Sequence, residues 1–148
     1  MEVLIIFLGL LLDRLAKVWA LSALKEKNAI VLIKDFFKLD YLENRGAAFG
    51  ILQNQLILLA LFTLLIISGM IYYIIKYKPK SKFLRISFAL IISGALGNLY
   101  DRVVYKYVVD FILLHYKEVY YFPTFNIADM LVVVGTVILA ISIVKEEV

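Results

Sequence analysis

Apolar residues run through this chain in four long stretches, residues 3–24, 56–75, 84–104 and 127–144, and polar and aromatic residues return between them. A helix rising about 1.5 Å per residue needs about 20 residues to cross a hydrocarbon core of about 30 Å, so each stretch predicts a transmembrane helix. Only the second is free of charge. The first carries Asp13, Arg14 and Lys17 and has no basic segment ahead of its apolar run, which marks a permanent span and not a cleaved leader. Between the first two spans Phe37, Leu39 and Tyr41 alternate with Lys38 and Asp40, the period of a half-buried strand, and predict a small sheet at the membrane surface. Residues 105–126 are loaded with Tyr and Phe, which favour the headgroup layer, and predict an interfacial loop or helix. No repeat or linker divides the chain, and Pro79 and Pro123 both fall between spans. The expectation is one integral-membrane domain over residues 1–148, mainly α, with four transmembrane helices, a small extracytoplasmic β-sheet and an interfacial loop or helix.

Composition supports the membrane reading. Hydrophobic residues make up 64% of the chain and charged ones 19%, and the mean hydropathy is +0.91, values foreign to a soluble domain. The net charge of +4 then speaks for topology signals and lipid headgroup contacts and against a nucleic-acid partner. Lys76, Lys78, Lys80, Lys82 and Arg85 crowd the connection between the second and third spans, which places that loop and both termini on the cytoplasmic side. Residues 25–55 and 105–126 then face outward. Cysteine is absent and His115 is the single histidine, so no thiol nucleophile, disulfide, Cys-ligated metal or two-histidine metal site is available.

Four acids stand in or beside the spans, where an uncompensated carboxylate is costly. Asp13 and Lys17 are four apart on one helix face and can neutralise each other. Asp101, with Asn98 one turn earlier and Arg102 adjacent, can close the outer end of the third span as a hydrogen-bonded cluster. Ala89, Ser93 and Gly97 form a row of small residues that admits a closely packed neighbour. Asp110, in VVDFILL, has no nearby base and no local structural excuse. Asp129 has one, because Asn126 suits the N-cap of the last span and Asp129 the third helical position, where a carboxylate meets free N–H groups and the positive end of the helix dipole. A second reading joins Asp110 to Asp129: two carboxylates brought together share one proton, leaving a base and an acid that can activate water. The spacing of the two in sequence allows this without requiring it. His115, in an aromatic interfacial segment, reads as an ordinary surface residue.

The motifs DRLAK at 13–17, NRGAAF at 44–49, SGALGNLYDR at 93–102, VVDF at 108–111 and FNIAD at 125–129, in that order across nearly the whole chain, resemble the signatures of the lipoprotein signal peptidases, the bacterial type II signal peptidases. The resemblance implies an aspartic endopeptidase of the bacterial cytoplasmic membrane, working extracytoplasmically as a monomer without metal or cofactor. Its partners would be membrane lipid and a prolipoprotein, cut just before the diacylglyceryl-modified cysteine. It also implies that Asp110 and Asp129 are the catalytic pair and that Asn44, Gly46, Asn98, Asp101, Arg102 and Asn126, with Asp13 and Lys17 of the first span, line or support the site. Two positions depart from the family pattern: Arg14 stands where Gln is common and Ser93 where Gly is common. The rival reading is a small proton-coupled transporter or channel subunit, which calls for acids near the midplane of several spans or a repeated half. A purely structural assembly subunit would leave Asp110 unexplained.

Overall fold

The structure, a computed structural model, describes residues 1–47 and 51–145. Helices α1 (Glu2–Ala23), α2 (Leu56–Tyr77), α3 (Lys82–Val104) and α4 (Ile127–Val144) fall within two residues of the four apolar stretches. Strands β1 (Ile30–Ile33), β2 (Phe37–Asn44), β3 (Val108–Tyr116) and β4 (Tyr120–Tyr121) occupy the two intervening segments. Helices α2, α3 and α4 are long and apolar enough to cross a membrane. Helix α1 has the length, but it carries Glu2, Asp13, Arg14 and Lys17.

Helix α3 is central and packs against the other three helices. The small-residue row explains how. The Ser93 hydroxyl donates to the Ile6 carbonyl of α1 at 3.1 Å, Ala89 is buried, and a methyl group at Gly97 would stand 2.6 Å from Asp13 Oδ2 and 3.3 Å from Ala128 Cβ. Glycine at 97 is therefore a condition of bringing α1, α3 and α4 to one point. The outer surface is apolar in turn: Ile57, Phe62 and Leu65 of α2 are 79%, 62% and 68% exposed, whereas Asp13, Lys17, Asp101 and Asp110 are buried. Charges inside and hydrocarbon outside is the arrangement a lipid solvent favours.

The strands form one antiparallel sheet in the order β1-β2-β3-β4. The half-buried strand expected over residues 37–41 is β2, partly covered on both faces and not cleanly alternating. The second outward segment differs from expectation. No interfacial loop or helix is found over 108–116; those residues form β3, the most buried strand of the sheet. The physical reason is its run of β-branched and aromatic residues, VVDFILLHY, which is suited to a strand covered on both faces. Val109 and Phe111 pack with Ala20 and Leu24 from the end of α1, and Leu39 and Tyr41 of β2 lie against them. The sheet and the helices share this core, so β3 cannot shift independently of α1.

Two features of the sheet place the chemistry. Leu42 faces Asp110 and Asn44 faces Val108 across β2 and β3, after a register shift between Leu39 and Leu42. Phe125 exchanges backbone bonds with Ile112, its N–H reaching the Ile112 carbonyl at 3.0 Å and its carbonyl accepting from Ile112 at 2.9 Å. The chain is thus stitched to β3 immediately before it enters α4, which sets Asn126 beside Asp110.

Candidate active site

Asn126 is the N-cap of α4, and its side chain accepts from the Asp129 N–H at 2.9 Å while Asp129 Oδ2 accepts from the Asn126 N–H at 3.0 Å. The capping box anticipated from FNIAD is present. The cap does more than close the helix. Asn126 Nδ2 also donates to Asp110 Oδ1 at 2.6 Å and to Asn98 Oδ1 at 3.1 Å, so one fully buried residue holds both candidate carboxylates, Asp110 through its side-chain amide and Asp129 through its backbone N–H. Asp110 Oδ2 accepts from Asn44 Nδ2 at 3.0 Å, and Asp129 Oδ1 accepts from Asn98 Nδ2 at 2.7 Å. Asp110 and Asp129 therefore converge, each fixed by an amide on either side.

Beneath them lies a second layer. Lys17, completely buried, donates to Asn98 Oδ1 at 2.9 Å and pairs with Asp13 at 3.0 Å and Asp101 at 2.9 Å. Asp13 in turn accepts from the Ala128 N–H at 3.0 Å, in the first turn of α4. The expected Asp13–Lys17 pair exists, but as part of a four-residue knot and not as a self-contained neutral pair. Asp101 differs from expectation in its partners: it pairs with Arg14 at 2.7 Å and Lys17, and accepts from the Val109 N–H at 3.2 Å, while Arg102 turns elsewhere. Arg102 Nη2 donates to the Gly46 carbonyl at 3.1 Å, and Gly46 N–H donates to Asn44 Oδ1 at 2.9 Å. Gly46 is held closely, since a Cβ there would stand 2.7 Å from the Ile51 carbonyl oxygen. Ala48 and Phe49, the rest of the NRGAAF motif, lie outside the described residues.

Burial and, after it, the neighbouring Asp129 charge push the Asp110 carboxyl up to about 7, against the bonds from Asn44 and Asn126. A carboxyl that titrates near neutrality beside a second carboxylate can hold the proton a hydrolytic reaction needs.

His115 does not join this group. It lies further along β3, buried and not on the surface as expected, with its ring stacked on Tyr121 at 5.5 Å between centroids and Nδ1 at 2.7 Å from the Lys117 carbonyl. Its burial follows from β3 being a covered strand. Conversely, sequence reasoning missed the contacts of Lys25 and Tyr41 with Glu43. Lys25 Nζ lies 3.3 Å from Glu43 Oε1, and Tyr41 donates to the same oxygen at 3.2 Å. These residues hold the C-terminal end of β2 to the segment just after α1, with Glu43 one residue before Asn44. No helical or strand spacing links Lys25 to Glu43, so only the adjacency of Glu43 to Asn44 offered a signal.

Residues 5–145 match the family described as Signal peptidase (SPase) II. A lipoprotein signal peptidase of Clostridium novyi (strain NT) is 64% identical over 146 residues, 99% of each chain. One of Clostridium acetobutylicum is 58% identical over 147 residues, covering 99% of this chain and 96% of that one. A solved bacterial membrane enzyme, determined by the in meso method at 2.3 Å resolution, superposes with a TM-score of 0.89 at 31% identity, over 98% of this chain and 88% of its own. The transporter or channel reading has no support in these matches. A chain matched along nearly its whole length by this family, and bringing the buried Asp110 of β3 beside the half-buried Asp129 at the head of an apolar helix, belongs to the signal peptidase II family, the lipoprotein signal peptidases.

Proposed function

We propose that the chain cleaves signal peptides from prolipoproteins, cutting before the diacylglyceryl-modified cysteine, with Asp110 and Asp129 sharing the acid–base work. The observation that carries this is the double hold of Asn126 on Asp110 and, through the capping box, on Asp129. A water between the carboxylates loses a proton to the ionised one as it attacks the scissile carbonyl, while the protonated one donates to the carbonyl oxygen; as the C–N bond breaks, the carboxyl that took the water proton passes it to the leaving amine and the diol hydroxyl returns its proton to the other carboxylate. Asp110, titrating near 7, suits the protonated role at neutral pH. Asp129, accepting a backbone N–H at the positive end of α4, suits the ionised one. Asn44, Asn98 and Asn126 orient the pair, Arg102 with Gly46 closes the side of the site next to Asn44, and Asp13, Lys17 and Asp101 hold α1, α3 and α4 in register.

The reading places all four helices across the bacterial cytoplasmic membrane as a single monomeric domain over residues 1–148, with both termini cytoplasmic and the sheet and site on the outer face. The signal helix and the lipid of the substrate would lie against the exposed apolar flanks of the helices, next to membrane lipid. The test is direct: protein purified in detergent is mixed with a diacylated prolipoprotein and, separately, with its unlipidated precursor, in the presence of a strong chelator. Cleavage of the first immediately before the modified cysteine is expected; a chelator-sensitive activity restored by zinc, or no cleavage, would overturn the reading.

A further inference from the structure

Asn44 reaches Asp110 only because strand β2 carries one residue too many. Leu39 faces Ile112 and Leu42 faces Asp110, so Asp40 and Tyr41 together stand opposite the single residue Phe111. A bulge of this kind moves every later side chain of its strand to the other face of the sheet, since side chains alternate with a period of two. Continued without it, β2 would set Tyr41 opposite Asp110 and Glu43 opposite Val108, and the Glu43 carboxylate would share the face of Asp110. With it, Asn44 stands opposite Val108 and donates to Asp110 Oδ2 at 3.0 Å. Glu43 stands opposite Val109, on the face covered by the end of α1. One arrangement gives the carboxylate pair an amide donor; the other gives it a third acid.

The residues on the α1 side hold that choice. Glu43 Oε1 lies 3.3 Å from Lys25 Nζ and accepts from the Tyr41 hydroxyl at 3.2 Å, and the exposed Arg45 stands 3.6 Å from Oε2. Tyr41 is itself one of the two bulged residues. Its hydroxyl lies 3.3 Å from that of Tyr107, the residue before Val108, and Lys25 Nζ sits 5.7 Å and 5.9 Å from the Tyr41 and Tyr107 ring centroids. From the turn after α1, Lys25 thus touches the bulge, the residue before Asn44 and the residue before Val108 at once. The Lys25 and Glu43 side chains are 39% and 30% exposed, and a pair so open to water contributes little free energy. What it fixes is the direction in which Glu43 points.

We propose that Lys25, Tyr41 and Glu43 are positioning residues that lock the bulge and so keep Asn44, and not Glu43, on the face of Asp110. The inference rests on Asp110 and Asp129 being the catalytic pair. Lys25→Met, Lys25→Arg, Tyr41→Phe and the double variant Lys25→Met/Glu43→Gln are purified in detergent, with Asp110→Asn as the control on the pair, and kcat, KM and thermal unfolding are measured, with a diacylated substrate for turnover. Lys25→Met should lower kcat by about 10- to 100-fold, the effect of a small misplacement beside reacting groups, and leave KM in place. Tyr41→Phe keeps the ring and removes only the hydroxyl; it should lower kcat in the same sense, and it serves where Lys25→Met does not fold. Lys25→Arg should keep most of the wild-type turnover. Adding Glu43→Gln to Lys25→Met should recover much of the loss, because a released glutamine brings an amide and no charge toward Asp110. A role confined to packing would lower the unfolding temperature, leave kcat in place and give the double variant no advantage. Folded Lys25→Met and Tyr41→Phe proteins with wild-type kcat, an Arg variant no better than the Met variant, or a double variant as slow as Lys25→Met would overturn the proposal while the pair stands. An active Asp110→Asn enzyme would remove the pair itself, and with it this inference.

Discussion

Replacing Asp129 by asparagine separates the two tasks the structure gives that residue. As part of the capping box its Oδ2 accepts the Asn126 N–H at 3.0 Å, and its Oδ1 accepts Asn98 Nδ2 at 2.7 Å. A carboxamide has one oxygen, so one of these donors must face an NH2 group. Asn98 cannot turn to compensate, because its own oxygen is committed to Lys17 Nζ at 2.9 Å and Asn126 Nδ2 at 3.1 Å. The variant therefore loses one charge-assisted bond, about 1.5–3 kcal/mol, which is measurable and short of unfolding for a protein with stability of about 5–15 kcal/mol. Catalysis suffers differently, since an amide cannot accept the proton from water. Turnover should fall by at least the ~10²–10⁴-fold ascribed to one acid–base group. The pair acts as one unit, so Asp110→Asn should fail to the same degree and the double variant should be hardly worse than either single one. The assay is single-turnover cleavage of a diacylated substrate, with thermal unfolding in the same detergent as the check on folding. An Asp129→Asn protein that unfolds near the expected temperature yet keeps a substantial part of wild-type turnover would refute the reasoning and reduce Asp129 to a helix cap.

Further outcomes follow from the same geometry. The Asp110 carboxyl is raised from 3.8 to about 7 by burial and then by Asp129, so its contribution to stability is full below pH ~4 and lost as pH rises through ~7, on the order of 4 kcal/mol in all. Wild-type unfolding temperature should thus fall between pH ~4 and ~7 and level off above that, and Asp110→Asn should flatten that fall; parallel curves would contradict it. Lys17→Met strips a common partner from the buried carboxylates of Asp13 and Asp101 and should destabilise by about 3–5 kcal/mol, read by thermal unfolding. A reporter fused after Lys80 should be active in the cytoplasm and one fused at Glu118 outside it; the reverse would put the carboxylates on the wrong side of the membrane.

Read alone, the sequence determined where the helices lie and which acids ask for a reason. Four apolar stretches of spanning length are a local property of composition, and they reappear as α1 to α4 almost residue for residue. The Asn126–Asp129 box is equally local, since both partners sit in one turn. Asp110 stood out because no base lies near it in the chain. What only the tertiary structure decided is everything that depends on segments distant in sequence. The run 108–116 became a buried strand and not an interfacial loop because β2 and the end of α1 cover it, and His115 was buried with it. Asp101 took Arg14 and Lys17 as partners and not its neighbour Arg102, because Gly97 lets α1 approach α3 at that level and consecutive helical residues point in different directions. The meeting of Asp110 with Asp129 follows from the stitch of Phe125 to Ile112, a contact between backbones that leaves no mark on side-chain pattern. Periodicity reports which face of an element is covered; it carries no record of what covers it.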